Sequence, residues 1–285
     1  KLPLLKKMTE QVGVIKKELP FNGTKIINGT MDAWIGILGS GGFENKKNIY
    51  LSGTSEILGI NSKEVIPTPG IIIFPEDENI KLHAGPTQSG GASKLWFCNL
   101  FNLTPLEMNK LVENENFNDV SPIFLPHLQG ERAPLWNPNL KGIFYGMNSK
   151  TNKGNLARSV YEGVSFSAKL ILESLEKSSS CINEEINCGG GGFQADIWNQ
   201  IRANILNKKI NRLSIKDPGI LGSVGIAGYG SGTFSNIDEA FNEMTSFDKF
   251  YEPDQTMKNY YSDLYEIFKN IIESNIKISE KFSKF

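Results

Sequence analysis

Apolar positions along the chain follow two rhythms. Short β-branched and aromatic runs bounded by Gly, Asn and Ser read as strands. They occupy residues 24–28, 48–51, 56–60, 70–75, 80–84, 122–128, 185–188 and 209–215. Apolar residues three and four apart read as helices at 33–38, 92–100, 105–113, 155–175, 196–206, 219–229 and 254–282. The 155–175 stripe is Leu156, Val160, Val164, Ala168 and Ile171, and the 254–282 stripe is Tyr261, Leu264, Phe268 and Ile272. Thr104 ahead of Pro105 is a helix N-cap by type and position. Strands alternating with helices, without a linker-like break, predict an α/β domain.

Composition narrows the function classes. The 285 residues balance 30 Lys+Arg against 31 Asp+Glu, a net charge of -1, so no electrostatic case exists for nucleic acid or an anionic membrane. The longest apolar run, Gly70 to Phe74, is far too short to span a bilayer. Cys98, Cys181 and Cys188 share no metal-like spacing, and an odd count fits a reducing cytoplasm. With His83 and His127 as the only histidines, a multi-histidine metal site is excluded, and both are expected to be hydrogen-bonded structural residues. Trp34, Trp96 and Trp198 fall in helices and are expected in the core. The chain starts at Lys1 without an initiator Met or signal peptide and is read as a fragment lacking its upstream portion.

Three segments can carry chemistry, and each has a plainer reading. Gly29-Thr30-Met31-Asp32 joins a strand to a helix, where Asp32 can take a proton from an attacking hydroxyl or simply cap the helix. Ser52-Gly53-Thr54-Ser55 can turn N–H groups and hydroxyls toward a phosphate, or be an ordinary hairpin turn. Cys188 followed by Gly189, Gly190, Gly191 and Gly192 lets a base or phosphate approach the backbone ahead of a helix N-terminus, or is a flexible loop. No Gly-Lys-Ser/Thr or Gly-x-Gly-x-x-Gly pattern follows. Glu131-Arg132 is read as a buried ion pair ordering its loop.

The order of these segments resembles the FGGY family of carbohydrate kinases, its xylulokinase-like members most of all. Residues 124–134, Phe-Leu-Pro-His-Leu-Gln-Gly-Glu-Arg-Ala-Pro, resemble the family's "FLPyLxGERxP" stretch. Residues 142–147 and 155–163 are similar to its second signature. Gly190, Gly191 and Gly192 with Trp198 resemble "GGGAxSxxW", with Phe193 in place of the usual Ala. Residues 219–224 resemble "GxALGAA", and the helix bearing Tyr260, Tyr261 and Tyr265 is similar to the family's closing helix.

The resemblance implies an actin-like, ribonuclease H-like ATPase domain, the second of two around a cleft. Residues 1–23 would lead in from a missing N-terminal domain, and 24–285 would form the ATP-binding domain. The missing domain would carry the other phosphate loop, most sugar contacts and a metal-positioning Asp, leaving this fragment inactive alone. The resemblance further implies Asp32 as base, Gly53, Thr54 and Ser55 on the β/γ-phosphates, Gly190, Gly191 and Gly192 flanking the nucleoside, and Asp196 near the adenine edge. Mg²⁺ would travel with ATP, with no direct metal ligand from this chain. A sugar or polyol substrate, the N-terminal domain and a homodimer are the implied partners, in the cytoplasm. Two alternatives stand beside the kinase: a non-catalytic actin-like nucleotide sensor or pseudokinase, and a sugar-binding or structural domain with no nucleotide role.

Overall fold

The computed structural model describes residues 4–117, 119–242 and 244–284. Lys1, Leu2 and Pro3 of the expected lead-in, together with Asn118, Glu243 and Phe285, lie outside the described residues. Strand β1 (Gln11–Val14) pairs antiparallel with β2 (Lys25–Ile27). Three of the four β1 residues are exposed, so no apolar alternation announces this strand. It lies within the stretch read as a lead-in, whose described residues fold onto the chain. Met8 is 2% exposed, and its N–H donates to the Asp77 carboxylate at 2.9 Å. Beyond β2 comes α1 (Asp32–Ile37), prolonged by a π-helical stretch, Leu38–Gly42.

The chain then enters a mixed sheet through β3 (Asn48–Ser52), β4 (Glu56–Asn61), β5 (Ile72–Ile73) and β6 (Leu82–Pro86). Helices α2 (Gly91–Phe101) and α3 (Pro105–Glu113) follow, then the strand pair β7 (Ile123–Leu125) and β8 (Ile143–Tyr145), and the long α4 (Lys153–Ser179). The sheet resumes with β9 (Glu185–Gly189), crosses over through α5 (Asp196–Leu206) to β10 (Lys209–Leu213), and ends, after α6 (Pro218–Ser231) and α7 (Ile237–Asn242), with β11 (Phe247–Tyr251). Helix α8 (Lys258–Phe282) closes the chain. The strand order is β11-β10-β9-β3-β4-β6-β5, with β9 parallel to both β3 and β10 and the other pairs antiparallel.

Helices cover both faces, as parallel strands require. On one side Ile171, Leu172, Phe193 and Leu206 pack on Tyr50, Leu58 and Ile186. On the other, Ile37, Leu38, Ile226 and Phe241 pack on Ile49 and Leu82. The α8 stripe, Tyr261, Leu264, Phe268 and Ile272, is buried in a third cluster with Val160, Val164 and Trp198. Each such aliphatic or aromatic side chain contributes about 1.5–3 kcal/mol by leaving water. At Thr104 the expected cap is a full box: its hydroxyl accepts the Glu107 N–H at 3.2 Å, and the Glu107 carboxylate accepts the Thr104 N–H at 2.7 Å.

Several boundaries differ from the sequence reading. The 70–75 and 122–128 strands shrink to Ile72–Ile73 and Ile123–Leu125. Pro75, Pro122 and Pro126 lack the N–H a ladder needs. The last helix starts at Lys258 rather than 254, because the Asp254 carboxylate accepts the Thr256 N–H at 2.9 Å and initiates a short 3₁₀ turn, Gln255–Met257. Strands β8 and β11 and helix α7 were not anticipated. Strand β11 is an edge strand with three exposed residues at its centre, which removes the buried alternation.

Candidate functional site

Three strand ends create the site. Leu51 pairs with Gly189 and Arg212 with Cys188 in the parallel registers. The turn at 52–55, the glycine run at 189–192 and the loop at 214–217 therefore leave the sheet at one edge. The carboxyl ends of strands in open α/β sheets are where ligands are met. Helix α1 reaches the same edge because it lies directly on α6: a Cβ added to Gly222 would stand 2.0 Å from the Ile35 carbonyl oxygen.

Two adjoining cavities open on these bends. The larger, about 1030 Å³, is bordered by Asp32, Ser52, Gly53, Gly190, Gly191, Lys216 and Asp217 among others. The smaller, about 500 Å³, is bordered by Gly53, Thr54, Lys94, Leu106, Asn109, Gly191, Gly192, Gln194 and Trp198 among others. Gly53 and Gly191 belong to both.

The glycines have different reasons to be there. Gly190 takes φ +95°, where L side chains are strained, and a Cβ on it would meet the Ser52 carbonyl oxygen at 2.5 Å. A Cβ on Gly192 would stand 2.0 Å from Ser52 Oγ. Both residues are glycine because the run presses on the chain's own β3 end. A Cβ on Gly191 meets nothing within 4 Å, so this glycine is the one open to a ligand. The opposing turn is pinned from below. The Gly90 and Ala92 N–H groups donate to the Thr54 carbonyl, Gly91 N–H to the Gly53 carbonyl, and Gly53 N–H to the Ser55 carbonyl.

Asp32 is exposed at the first position of α1, with Met31 at the N-cap. Its Oδ1 accepts the neighbouring Ala33 N–H at 2.6 Å, and the residue borders the larger cavity. Ser55 borders neither cavity. Asp196 is likewise not brought there. Its carboxylate accepts Lys249 Nζ at 2.6 Å and the Tyr251 hydroxyl at 2.7 Å, with Arg212 at 3.6 Å. Those bonds, first Lys249 and then Tyr251, hold it below the usual carboxylate range.

Beneath the bends lies a charged network that inspection of the sequence missed. Glu56 and Arg202, both with fully buried side chains, pair at 2.8 Å. Glu56 also accepts the Tyr50 hydroxyl at 2.6 Å and the Ser52 hydroxyl at 2.7 Å. Arg202 donates to the Gly192 carbonyl at 2.9 Å and to Ser52 Oγ at 3.1 Å, stacked between Trp198 and Phe193 with its guanidinium carbon 4.0 and 4.3 Å from their ring centres. Burial, reinforced by the Glu56 charge, raises the Tyr50 phenol well above its ordinary pKa and keeps it a donor.

Lys94 was also missed. Its Nζ donates to Asn109 Oδ1 at 3.1 Å and lies 6.0 Å from the Trp198 ring centre, and burial lowers its pKa. Trp198 is in the core as expected, 1% exposed, yet it also borders the smaller cavity.

Two other expectations need correction. Glu131 and Arg132 do not pair. One Glu131 oxygen accepts the Gln88 and Arg132 N–H groups, while the Arg132 guanidinium donates to the Thr87 carbonyl. Burial raises Glu131 to about 7. His83 is hydrogen-bonded as expected, to Ser178 Oγ and the Ser62 carbonyl. His127 is not: both its ring nitrogens lack partners, Glu131 Oε2 is 3.9 Å away, and burial lowers its pKa to about 4.

A sequence model described as "FGGY family of carbohydrate kinases, C-terminal domain" matches residues 49–231. The chain belongs to this family. It is 25% identical over 298 residues to a xylulose kinase of Lactococcus lactis subsp. lactis (strain IL1403), an alignment covering 100% of the chain and 59% of that relative. Among solved structures, the ligand-bound xylulose kinase from Lactobacillus acidophilus superposes with a TM-score of 0.91 at 26% identity, covering 98% of this chain and 59% of that one. The gluconate kinase from the same organism gives 0.90 at 27%, covering 98% and 58%. The fold is thus the actin-like, ribonuclease H-like ATPase fold, xylulokinase-like in kind. This FGGY chain spans a little over half the length of these curated xylulose kinase relatives. Among the described residues no helix is long and apolar enough to cross a membrane.

Proposed function

We propose that this chain is the nucleotide-binding half of an ATP-dependent carbohydrate kinase, and that Asp32 is the general base for the acceptor hydroxyl. The observation that carries this reading is the shared rim. Gly53 and Gly191 border both cavities, and Asp32 stands on the larger one. A nucleotide laid across that rim would place its phosphates against the turn at Gly53 and Thr54, and its nucleoside along Gly190, Gly191 and Gly192. The smaller cavity supplies Trp198 as an apolar wall. Asp196, engaged by Lys249 and Tyr251, takes no part.

Phosphoryl transfer asks the protein mainly to align donor and acceptor and to stabilise spreading negative charge. A carboxylate with free approach from the cleft suits proton removal from an alcohol. Mg²⁺ fits as a nucleotide-borne ion. Besides Asp32, proposed as the base, the larger cavity has one other carboxylate, Asp217. One or two carboxylates plus phosphate oxygens is the usual Mg²⁺ donor set, and the ion would neutralise phosphate charge.

The acceptor is a sugar or polyol, with a xylulose-like ketose favoured by the relatives. Residues 1–23 and 24–285 are proposed to be the junction and the second domain. An N-terminal domain would supply the remaining sugar contacts, in a cytoplasmic enzyme able to dimerise. The test is coupled ADP release over pentuloses, gluconate and polyols, using this chain joined to the additional portion its relatives carry. Sugar-dependent ADP release supports the kinase. ATP binding without it supports a nucleotide sensor instead.

A further inference from the structure

The Glu56–Arg202 pair has a cost that packing alone does not explain. Two opposite charges taken wholly out of water are, as a rule, no more stabilising than well-packed apolar residues of the same volume. Here both partners reach past each other to the ligand-facing bends. Arg202 holds the Gly192 carbonyl on one side and Ser52 Oγ on the other, and Glu56 holds Ser52 and Tyr50 at the foot of the turn. A single guanidinium thus ties the last residue of β3 to the glycine run that leaves β9.

We infer that Glu56 and Arg202 are positioning residues for the nucleotide: they fix the spacing between the turn at 52–55 and the glycine run at 190–192. The inference rests on the nucleotide reading above and adds the residues that set its geometry. Neither residue borders either cavity, so neither touches the ligand directly. Their effect passes through Ser52 and Gly192, whose backbones carry the rim. Arg202 cannot drift from this role, because Trp198 and Phe193 hold its plane and Asn199 Oδ1 accepts from it at 3.3 Å.

A purely structural pair and a positioning pair differ in what rescues them. Glu56→Gln or Arg202→Met alone strands a buried charge and should lower the melting temperature strongly. The double variant Glu56→Gln/Arg202→Met removes both charges, and its amide can accept from one of the Tyr50 and Ser52 hydroxyls while donating to the other. It is expected to recover most of the melting temperature. Its MgATP affinity, measured by calorimetry on the intact protein, should stay about ten- to a hundredfold weaker, the worth of the lost charged hydrogen bonds. Arg202→Lys keeps the charge for Glu56 but loses the second arm of the fork, and should weaken MgATP in the same direction while staying folded. Parental MgATP affinity in a folded double variant, or in Arg202→Lys should the double variant not fold, overturns the inference. Failure of the unaltered protein to bind MgATP overturns the nucleotide reading and the inference with it.

Discussion

Gly191 and Gly192 are neighbours in sequence, yet adding one methyl to each should have opposite consequences. On Gly192 the methyl would stand 2.0 Å from Ser52 Oγ, 2.6 Å from Ser52 Cβ and 3.1 Å from its carbonyl oxygen. Ser52 is 1% exposed and cannot turn aside, because its hydroxyl donates to Glu56 and accepts from Arg202. The strand end must move or both bonds must break. Overpacking of this kind costs about 1–3 kcal/mol. At about 2–4 °C per kcal/mol for a chain of this size, Gly192→Ala should melt roughly 2–12 °C lower.

On Gly191 the methyl meets no atom within 4 Å and needs no unusual φ. Stability should hold or rise by about 0.4–1 kcal/mol, because alanine restricts the unfolded chain. The methyl projects where the two cavities join, however, and should weaken MgATP by about tenfold if the nucleotide lies on this rim. Differential scanning fluorimetry and calorimetric titration of the two variants side by side make the comparison. An unchanged MgATP affinity in Gly191→Ala would refute the nucleotide placement. An unchanged melting point in Gly192→Ala would refute the packing argument.

Three further outcomes are expected. Asp32→Asn should reduce sugar-dependent ADP release by about 10²–10⁴ and leave MgATP affinity near parental, since it removes the base but no nucleotide contact; near-parental turnover in the assembled kinase would dismiss Asp32 as the base. Asp196→Ala should cost on the order of 0–1 kcal/mol, the worth of half-exposed ion pairs, and should not alter MgATP binding; a lost affinity would put Asp196 back at the nucleotide. The buried His127 and Glu131 should give opposed pH dependences. With Glu131 raised from 4.5 to about 7, the folded state holds a proton the unfolded chain has released, so stability falls as pH rises through that window. With His127 lowered from 6.5 to about 4, the unfolded chain holds the extra proton, so stability rises with pH between those values. The two slopes largely cancel from about 4.5 to 6.5, and Glu131→Gln should unmask the histidine's. That variant should also gain on the order of 3 kcal/mol at pH 8, since its amide oxygen can accept the same two N–H groups. Chemical denaturation across pH decides this, and a flat profile in Glu131→Gln would count against the burial of His127.

Legibility in the sequence followed the periodicity of burial. Helices α3 and α5 were bounded to the residue: a capping threonine opens one, and apolar Trp198, Ile201 and Ile205 recur along the other. The seam of α8 was readable for the same reason. Strands β1 and β11 were not, because their residues are mostly exposed at edges and carry no alternation. The two glycine bends stood out from composition. Their meeting at one edge depends on the parallel register of β3 with β9, a contact between residues more than a hundred positions apart, which local pattern does not reveal.

Glu56 and Arg202 did leave a trace. Glu56 opens the otherwise apolar Glu56-Ile57-Leu58-Gly59-Ile60, and Arg202 lies on the same helical face as Trp198, Ile201 and Ile205. A charge on a face that must be buried has to find a partner, and here each is the other's. The glycine run invited the opposite error. Four glycines suggest access for a ligand, but a glycine is equally needed where the chain presses on itself, and two of them serve that second purpose against Ser52. The sites are therefore read best from both kinds of exception together: the residue whose absent side chain leaves space open, and the buried charge that holds the surrounding backbone still enough for that space to have a shape.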